Sequence, residues 1–188
     1  MNKEDFRLSY FDEFREPQVR IPLKIASEDT NKFPHVYMTE HAQKVISMDA
    51  VMDGYLIKRG MHKGDAKSVD ALYMLSSGKL CMVEFKNGEF TPAEIIEKAL
   101  SSVLMFNEIT ETNISFTREN MVFVLVYNQE VKHVNYRQLY AEQRSHRQKE
   151  RISLFKLDHL NHFCFSQVEE IEKTEFDSSK FVKELMLN

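Results

Sequence analysis

The run Met121-Val122-Phe123-Val124-Leu125-Val126-Tyr127 is apolar throughout and rich in β-branched and aromatic side chains. Without a polar alternate, it predicts a central strand buried on both faces. Upstream, Ser68-Val69-Asp70-Ala71-Leu72-Tyr73-Met74-Leu75 and Leu80-Cys81-Met82-Val83-Glu84-Phe85-Lys86 flank the polar Ser76-Ser77-Gly78-Lys79. The pattern reads as a hairpin from about 68 to 85, with a turn at Gly78. Asn87 to Phe90 reads as a turn. Thr91-Pro92-Ala93-Glu94 then opens a helix, with Thr91 as N-cap, proline at the first helical position and Glu94 three after the cap. Ile95, Ile96, Ala99, Leu100, Val103, Leu104 and Phe106 form its wide apolar face. Strand, long helix and strand in that order imply a right-handed crossover and a parallel pair. The expected fold class is therefore α/β, a mixed central β-sheet flanked by helices.

Weaker patterns surround this centre. Val45, Ile46, Met48, Val51 and Met52 repeat at helical spacing, so a helix is expected from Thr39, as N-cap, to about Tyr55 or Ile57. Phe6, Tyr10, Phe11 and Phe14 suit a short amphipathic helix, and Pro17, Pro22 and Pro34 break up the stretch after it. Tyr136 to about Lys149 reads as a basic helix, Arg151 to Leu157 as a short strand, and Phe163-Cys164-Phe165 as another. Ser178 to Leu187 reads as a closing helix capped by Asp177 or Ser178. No repeat or linker divides the chain. The expectation is a single domain, 1–188, with a core at about 40–127, an N-terminal extension at 1–38 and C-terminal helices and strands at 132–188.

Composition narrows the class. Only 5 Gly and 4 Pro among 188 residues, with 43% hydrophobic residues, argue against a disordered chain. Cys81 and Cys164 lie in apolar runs without metal-ligand spacing and read as buried thiols of a reducing compartment. Charged residues at the start argue against a signal peptide, and no apolar run approaches the ~20 residues that span a bilayer. A cytoplasmic protein is expected. The net charge of −4 hides an asymmetry. Between 132 and 151, six bases (Lys132, Arg137, Arg144, Arg147, Lys149, Arg151) stand against two acids, a local +4 that leaves −8 elsewhere. That suits either a phosphate-facing patch or a solvated helix face. There is no glycine-rich phosphate loop and no G-x-S-x-G. His159 and His162 lack companions at zinc spacing.

The candidate chemistry lies in the hairpin. Side chains of a strand alternate between faces, so Glu84 and Lys86 point one way while Val83 and Phe85 point the other. Asp70 on the partner strand would then stand beside the Glu84–Lys86 pair. Two converging carboxylates can hold a hard divalent cation, and a lysine beside them can act on a water or a phosphate. On a solvent face the same residues would amount to a cross-strand ion pair worth under about 1 kcal/mol. Leu72, Met74 and Met82 flank the charges on their own face, however, and charges set among apolar residues are expensive to bury unpaired.

Asp70 and Glu84-Phe85-Lys86, with the surrounding order of helix, hairpin, helix and strand over about Glu40 to Tyr127, resemble the PD-(D/E)XK nuclease superfamily, the restriction-endonuclease-like fold. Val69 stands where many members have proline. The resemblance implies Mg²⁺- or Mn²⁺-dependent hydrolysis of phosphodiester bonds in nucleic acid, DNA first. It implies Asp70, Glu84 and the Phe85 carbonyl as metal ligands and Lys86 as the group that assists the nucleophile. Glu40 is a further candidate, as an acid on the preceding helix, with Asp49 and Asp53 as rivals. Lys132, Arg137, Arg144, Arg147, Lys149 and Arg151 would grip phosphates. A homodimer or a larger assembly, as in restriction, phage defence or mobile-element processing, belongs to the same implication. The alternative is an inactive nuclease-like scaffold that binds a protein partner. Lys98, four residues after Glu94, suits either a phosphate contact or, as the favoured reading, a surface ion pair with that acid.

Overall fold

In the computed structural model, Phe11 and residues 19–30, 34–128 and 153–185 are described. The architecture is α/β, a mixed six-stranded sheet flanked by helices. In chain order, the elements before the hairpin are β1 (Arg20–Pro22), α1 (Leu23–Ala26), β2 (Glu28–Asp29), β3 (Val36–Tyr37), β4 (Lys44–Ser47) and α2 (Met48–Lys58). Then come β5 (Ala71–Met74), β6 (Leu80–Lys86), α3 (Pro92–Ile109), α4 (Ile114–Asn120) and β7 (Met121–Tyr127). The last are β8 (Gln167–Glu172), α5 (Lys173–Phe176) and α6 (Lys180–Leu185). The main sheet has the order β1-β4-β5-β6-β7-β8, and β2 and β3 form a separate antiparallel pair.

Every residue of β7 is buried, as expected of an uninterrupted apolar run. β7 is parallel to β6, with Glu84 opposite Leu125 and Lys86 opposite Tyr127. β5 and β6 form the hairpin, with Ala71 opposite Val83 and Met74 opposite Leu80. Gly78 takes φ 73° at its turn, a conformation that costs glycine little. The two sheet faces carry separate cores. Leu72, Leu80, Met82, Phe123 and Leu125 pack with Met48, Val51 and Leu56 of α2 and Ile95, Ala99, Val103 and Phe106 of α3. Ala71, Tyr73, Val83, Phe85 and Val124 pack with Leu23, Phe176, Phe181 and Leu185 on the other side. Val69, just before β5, joins the α3 side.

Several boundaries differ from the sequence expectation. The helix expected from Thr39 begins at Met48. Val45 and Ile46 belong to β4, and Ser47, whose hydroxyl accepts from the Ala50 N–H, is the N-cap. Their apolar spacing fits either period, and pairing with β1 and β5 decides for strand. Thr39 instead hydrogen-bonds Asp177 near α6. No strand forms over the described part of 151–157. Glu170 of β8 accepts from the Ser153 hydroxyl (2.6 Å) and from the Leu154 (2.5 Å) and Phe155 (3.1 Å) N–H groups, which holds that backbone away from any ladder. Phe163-Cys164-Phe165 is a turn, with one isolated bridge between Asn161 and Phe165. The closing helix begins at Lys180 rather than Ser178 and is described as far as Leu185. The strand β8 is not predicted by the pattern, because its Gln167-Val168-Glu169-Glu170-Ile171-Glu172 text is mostly polar. The aromatic helix expected near the N-terminus and the basic helix over 136–149 lie outside the described residues, except Phe11, whose ring is 6.0 Å from that of Phe106. No helix among the described residues is long and apolar enough to cross a membrane.

Cys81 and Cys164 are both buried free thiols. Burial pushes Cys81 up to about 12 and Cys164 up to about 11. A thiol of that kind is no nucleophile at neutral pH. The native protein should therefore resist DTNB, with labelling only in denaturant. Rapid labelling of the native chain would contradict the burial of these residues.

Candidate active site

Glu84 and Lys86 on β6 and Asp70, next to β5, share the α3 face of the sheet. Asp70 immediately precedes β5. Its N–H donates to the Val83 carbonyl (3.0 Å), and its own carbonyl accepts from the Met48 N–H (3.1 Å). Its carboxylate accepts from the Phe85 N–H, 2.6 Å from Oδ2, so the side chain lies across the Glu84-Phe85-Lys86 segment. Glu84 is fully buried, with Lys86 Nζ 3.0 Å from its Oε1. Lys86 retains 22% exposure.

Lys98 joins this group, a place the sequence reading does not give it. It does not pair with Glu94, whose carboxylate accepts from the Thr91 N–H (2.7 Å) in a complete capping box. The Lys98 ammonium instead lies 2.8 Å from Glu84 Oε1, 3.0 Å from Glu84 Oε2 and 3.5 Å from Asp70 Oδ1. One turn further on, Ser102 Oγ accepts from the Val69 N–H at 2.9 Å. α3 is thus fastened to the start of β5 at two successive positions. The signal was present in the periodicity. Position 98 falls with 95, 99 and 102 on one helical stripe, and Ile95, Ala99 and Ser102 are all buried.

The electrostatics come from burial. Asp70 is pushed well above the ordinary aspartate range by burial first and by the charge of Glu84 second, against the pull of Lys98 and the Phe85 N–H. Glu84 is raised by burial, opposed by Lys98 and Lys86. Burial works to lower Lys98, but Asp70 and Glu84 outweigh it and the lysine ends above its usual value. Lys98 therefore keeps its charge throughout the neutral range.

Of the three acids considered for the helix position, Asp49 is the one whose charge is felt by both Asp70 and Lys98. It sits at the start of α2 and accepts from the Ser68 hydroxyl at 2.6 Å. Glu40 lies before β4, not on a helix, and is bound by Lys24 at 2.6 Å with 73% exposure. Asp53 pairs with Lys63 at 3.4 Å. The basic residues Lys132, Arg137, Arg144, Arg147, Lys149 and Arg151 lie outside the described residues.

Beside the cluster opens a cleft of about 370 Å³, lined by Glu28, Asp29, Asp70, Lys86 and Glu89 among others. Among the described residues, Lys86 is the one base on its lining. The lip is fixed by side-chain amides. Asn87 Nδ2 donates to Asp29 Oδ2 (2.9 Å), and Asn128 Nδ2 donates to Asn87 Oδ1 (2.8 Å).

Among the described residues, no three carboxylate, imidazole or thiol side chains form a metal-binding group. Asp70 and Glu84 nonetheless direct oxygens at one cationic centre, the Lys98 ammonium. Two carboxylates so disposed fit a hard divalent cation of the Mg²⁺ kind, which keeps most of its waters. No protein-family model, curated protein or solved structure matches this chain.

Proposed function

We propose that this chain is a restriction-endonuclease-like, Mg²⁺- or Mn²⁺-dependent nuclease that hydrolyses phosphodiester bonds of nucleic acid, DNA first. The observation that carries this reading is the convergence of Asp70, Glu84 and Lys86 within an otherwise apolar sheet core, beside a cleft that Lys86 lines. The antiparallel hairpin, the crossover helix and the parallel strand after it support the same reading.

Asp70 and Glu84 would hold the cation, with the Phe85 carbonyl added by resemblance. Such an ion acidifies a bound water and neutralises charge gathering on a reacting phosphate. The Phe85 N–H orients Asp70. Glu84 anchors Lys86, and the partly exposed ammonium meets the anionic phosphate from the cleft side. The acids Glu28, Asp29 and Glu89 leave the cleft lining net negative, so Lys86 is the point on it that offers a phosphate an opposite charge. The basic run 132–151 would contribute general affinity for the backbone.

A second reading is favoured by a specific observation. Without any metal, every charge of the cluster already has an opposite partner, as a purely structural ion-pair network would have. One experiment separates the two. Wild type and Glu84→Gln are incubated with supercoiled plasmid, linear duplex, single-stranded DNA and RNA in Mg²⁺, Mn²⁺ or EDTA, with melting followed in parallel. A nuclease cleaves only with metal, melts higher in Mn²⁺ because the ion binds the native state, and loses both properties in Glu84→Gln. No cleavage on any substrate and no metal-induced shift would leave the scaffold reading.

A further inference from the structure

Glu84 is fully buried, and a carboxylate in that position needs a counter-charge whether or not a metal is present. Lys86 supplies part of it from the cleft side. Lys98 supplies the rest from α3, and its ammonium is centred on the oxygens of both Asp70 and Glu84. These are the oxygens assigned above to a divalent ion. The approach is fixed, because α3 is tied to the start of the hairpin beside Lys98 by the Ser102–Val69 bond. Asp49 adds a further negative charge to the same neighbourhood.

A divalent ion held by these same oxygens would compete with the Lys98 ammonium, which already lies within 2.8–3.5 Å of them and would repel it. We propose that Lys98 is a positioning residue that stands in for the cation. Its ammonium holds Asp70 and Glu84 together in the metal-free protein, and a divalent ion enters only by displacing it. The inference rests on the reading of Asp70 and Glu84 as metal ligands. The cluster is thus stable without metal, and that stability is what weakens metal binding.

The test is a Mn²⁺ titration of wild type, Lys98→Met, Lys98→Arg and Glu84→Gln, followed by the EPR signal of free Mn²⁺ and by melting temperature. Lys98→Met is expected to melt lower without metal yet bind Mn²⁺ about tenfold more tightly, because the competing charge is gone. Lys98→Arg, which keeps the charge, should stay near wild type. A merely structural lysine would lower the melting temperature without tightening Mn²⁺ binding. Should Lys98→Met fail to fold, Lys98→Gln keeps a donor to Glu84 and carries the same expectation. Binding in Lys98→Met with none in wild type also supports displacement. Equal affinity in wild type and Lys98→Met, both lost in Glu84→Gln, would overturn the role of Lys98 and leave the metal site standing. Absence of binding in every variant, or unchanged binding in Glu84→Gln, would overturn the metal site and the inference with it.

Discussion

If the proposed nuclease function holds, Lys86→Ala slows metal-dependent cleavage of nucleic acid by about 10²–10⁴-fold, the range over which a positioned proton-transfer or charge-stabilising group acts. Folding should be little affected. Lys86 is partly exposed, and its removal leaves Glu84 with the Lys98 ammonium at 2.8 Å. The Phe85 N–H still orients Asp70. Mn²⁺ should therefore continue to raise the melting temperature of Lys86→Ala while turnover disappears. That pairing separates a lysine that works on the substrate from one that merely balances charge. Retained cleavage would remove Lys86 from the mechanism. Loss of the Mn²⁺ shift together with cleavage would mean that Lys86 acts by holding Glu84 in place.

Leu125→Ala should produce the largest loss of stability. Leu125 is fully buried in β7, directly opposite Glu84 in the parallel register, and belongs to the core that α2 and α3 cover. Truncating a buried leucine costs about 2–5 kcal/mol, a fall of about 4–20 °C in melting temperature for a chain of this size. The neighbouring carboxyl should respond as well. Burial is the largest cause of the upward shift of Glu84, so a cavity that admits water should bring that carboxyl back towards the ordinary glutamate range. Between the ordinary range and the raised value, the native chain holds a proton that the unfolded chain has lost. The contribution of Glu84 to stability is thus complete below the ordinary range and is lost as pH rises through the raised value. Leu125→Ala should flatten that dependence, as measured by urea unfolding at a series of pH values. An unchanged slope would mean that water does not reach Glu84 through the cavity.

The elements easiest to read are those with a single consistent signal. β7 has no polar residue to confuse its burial, and the start of α3 carries a cap, a proline and a reciprocal acid in sequence. The hairpin is legible because two short apolar runs flank a polar turn that carries Gly78. The stretch from Thr39 to Ile46 is not, since its apolar spacing suits a helix or a strand and only pairing with β1 and β5 discriminates. β8 is hidden for the opposite reason. Its glutamates are accommodated at the sheet edge, where Glu170 meets the backbone of 153–155, so the local text shows little of a strand.

The candidate site divides along the same line. Strand parity places Asp70, Glu84 and Lys86 on one face, because alternation is a local property of the backbone. Lys98 belongs to the same helical stripe as Ile95, Ala99 and Ser102, yet its local neighbour Glu94 offers an ordinary surface partner. What draws it inward is the uncompensated charge of a buried glutamate fourteen positions earlier, a demand that exists only once α3 lies on the sheet. Likewise, only the packed structure gives Asp49, and not Glu40 or Asp53, an electrostatic connection to Asp70. Local periodicity was enough to place the hairpin, the crossover and the shared face of the three motif residues, because each depends only on short-range order along the chain. Which charges complete the cluster depended on packing, because the cost of burying a charge is set by what distant elements bring to its side.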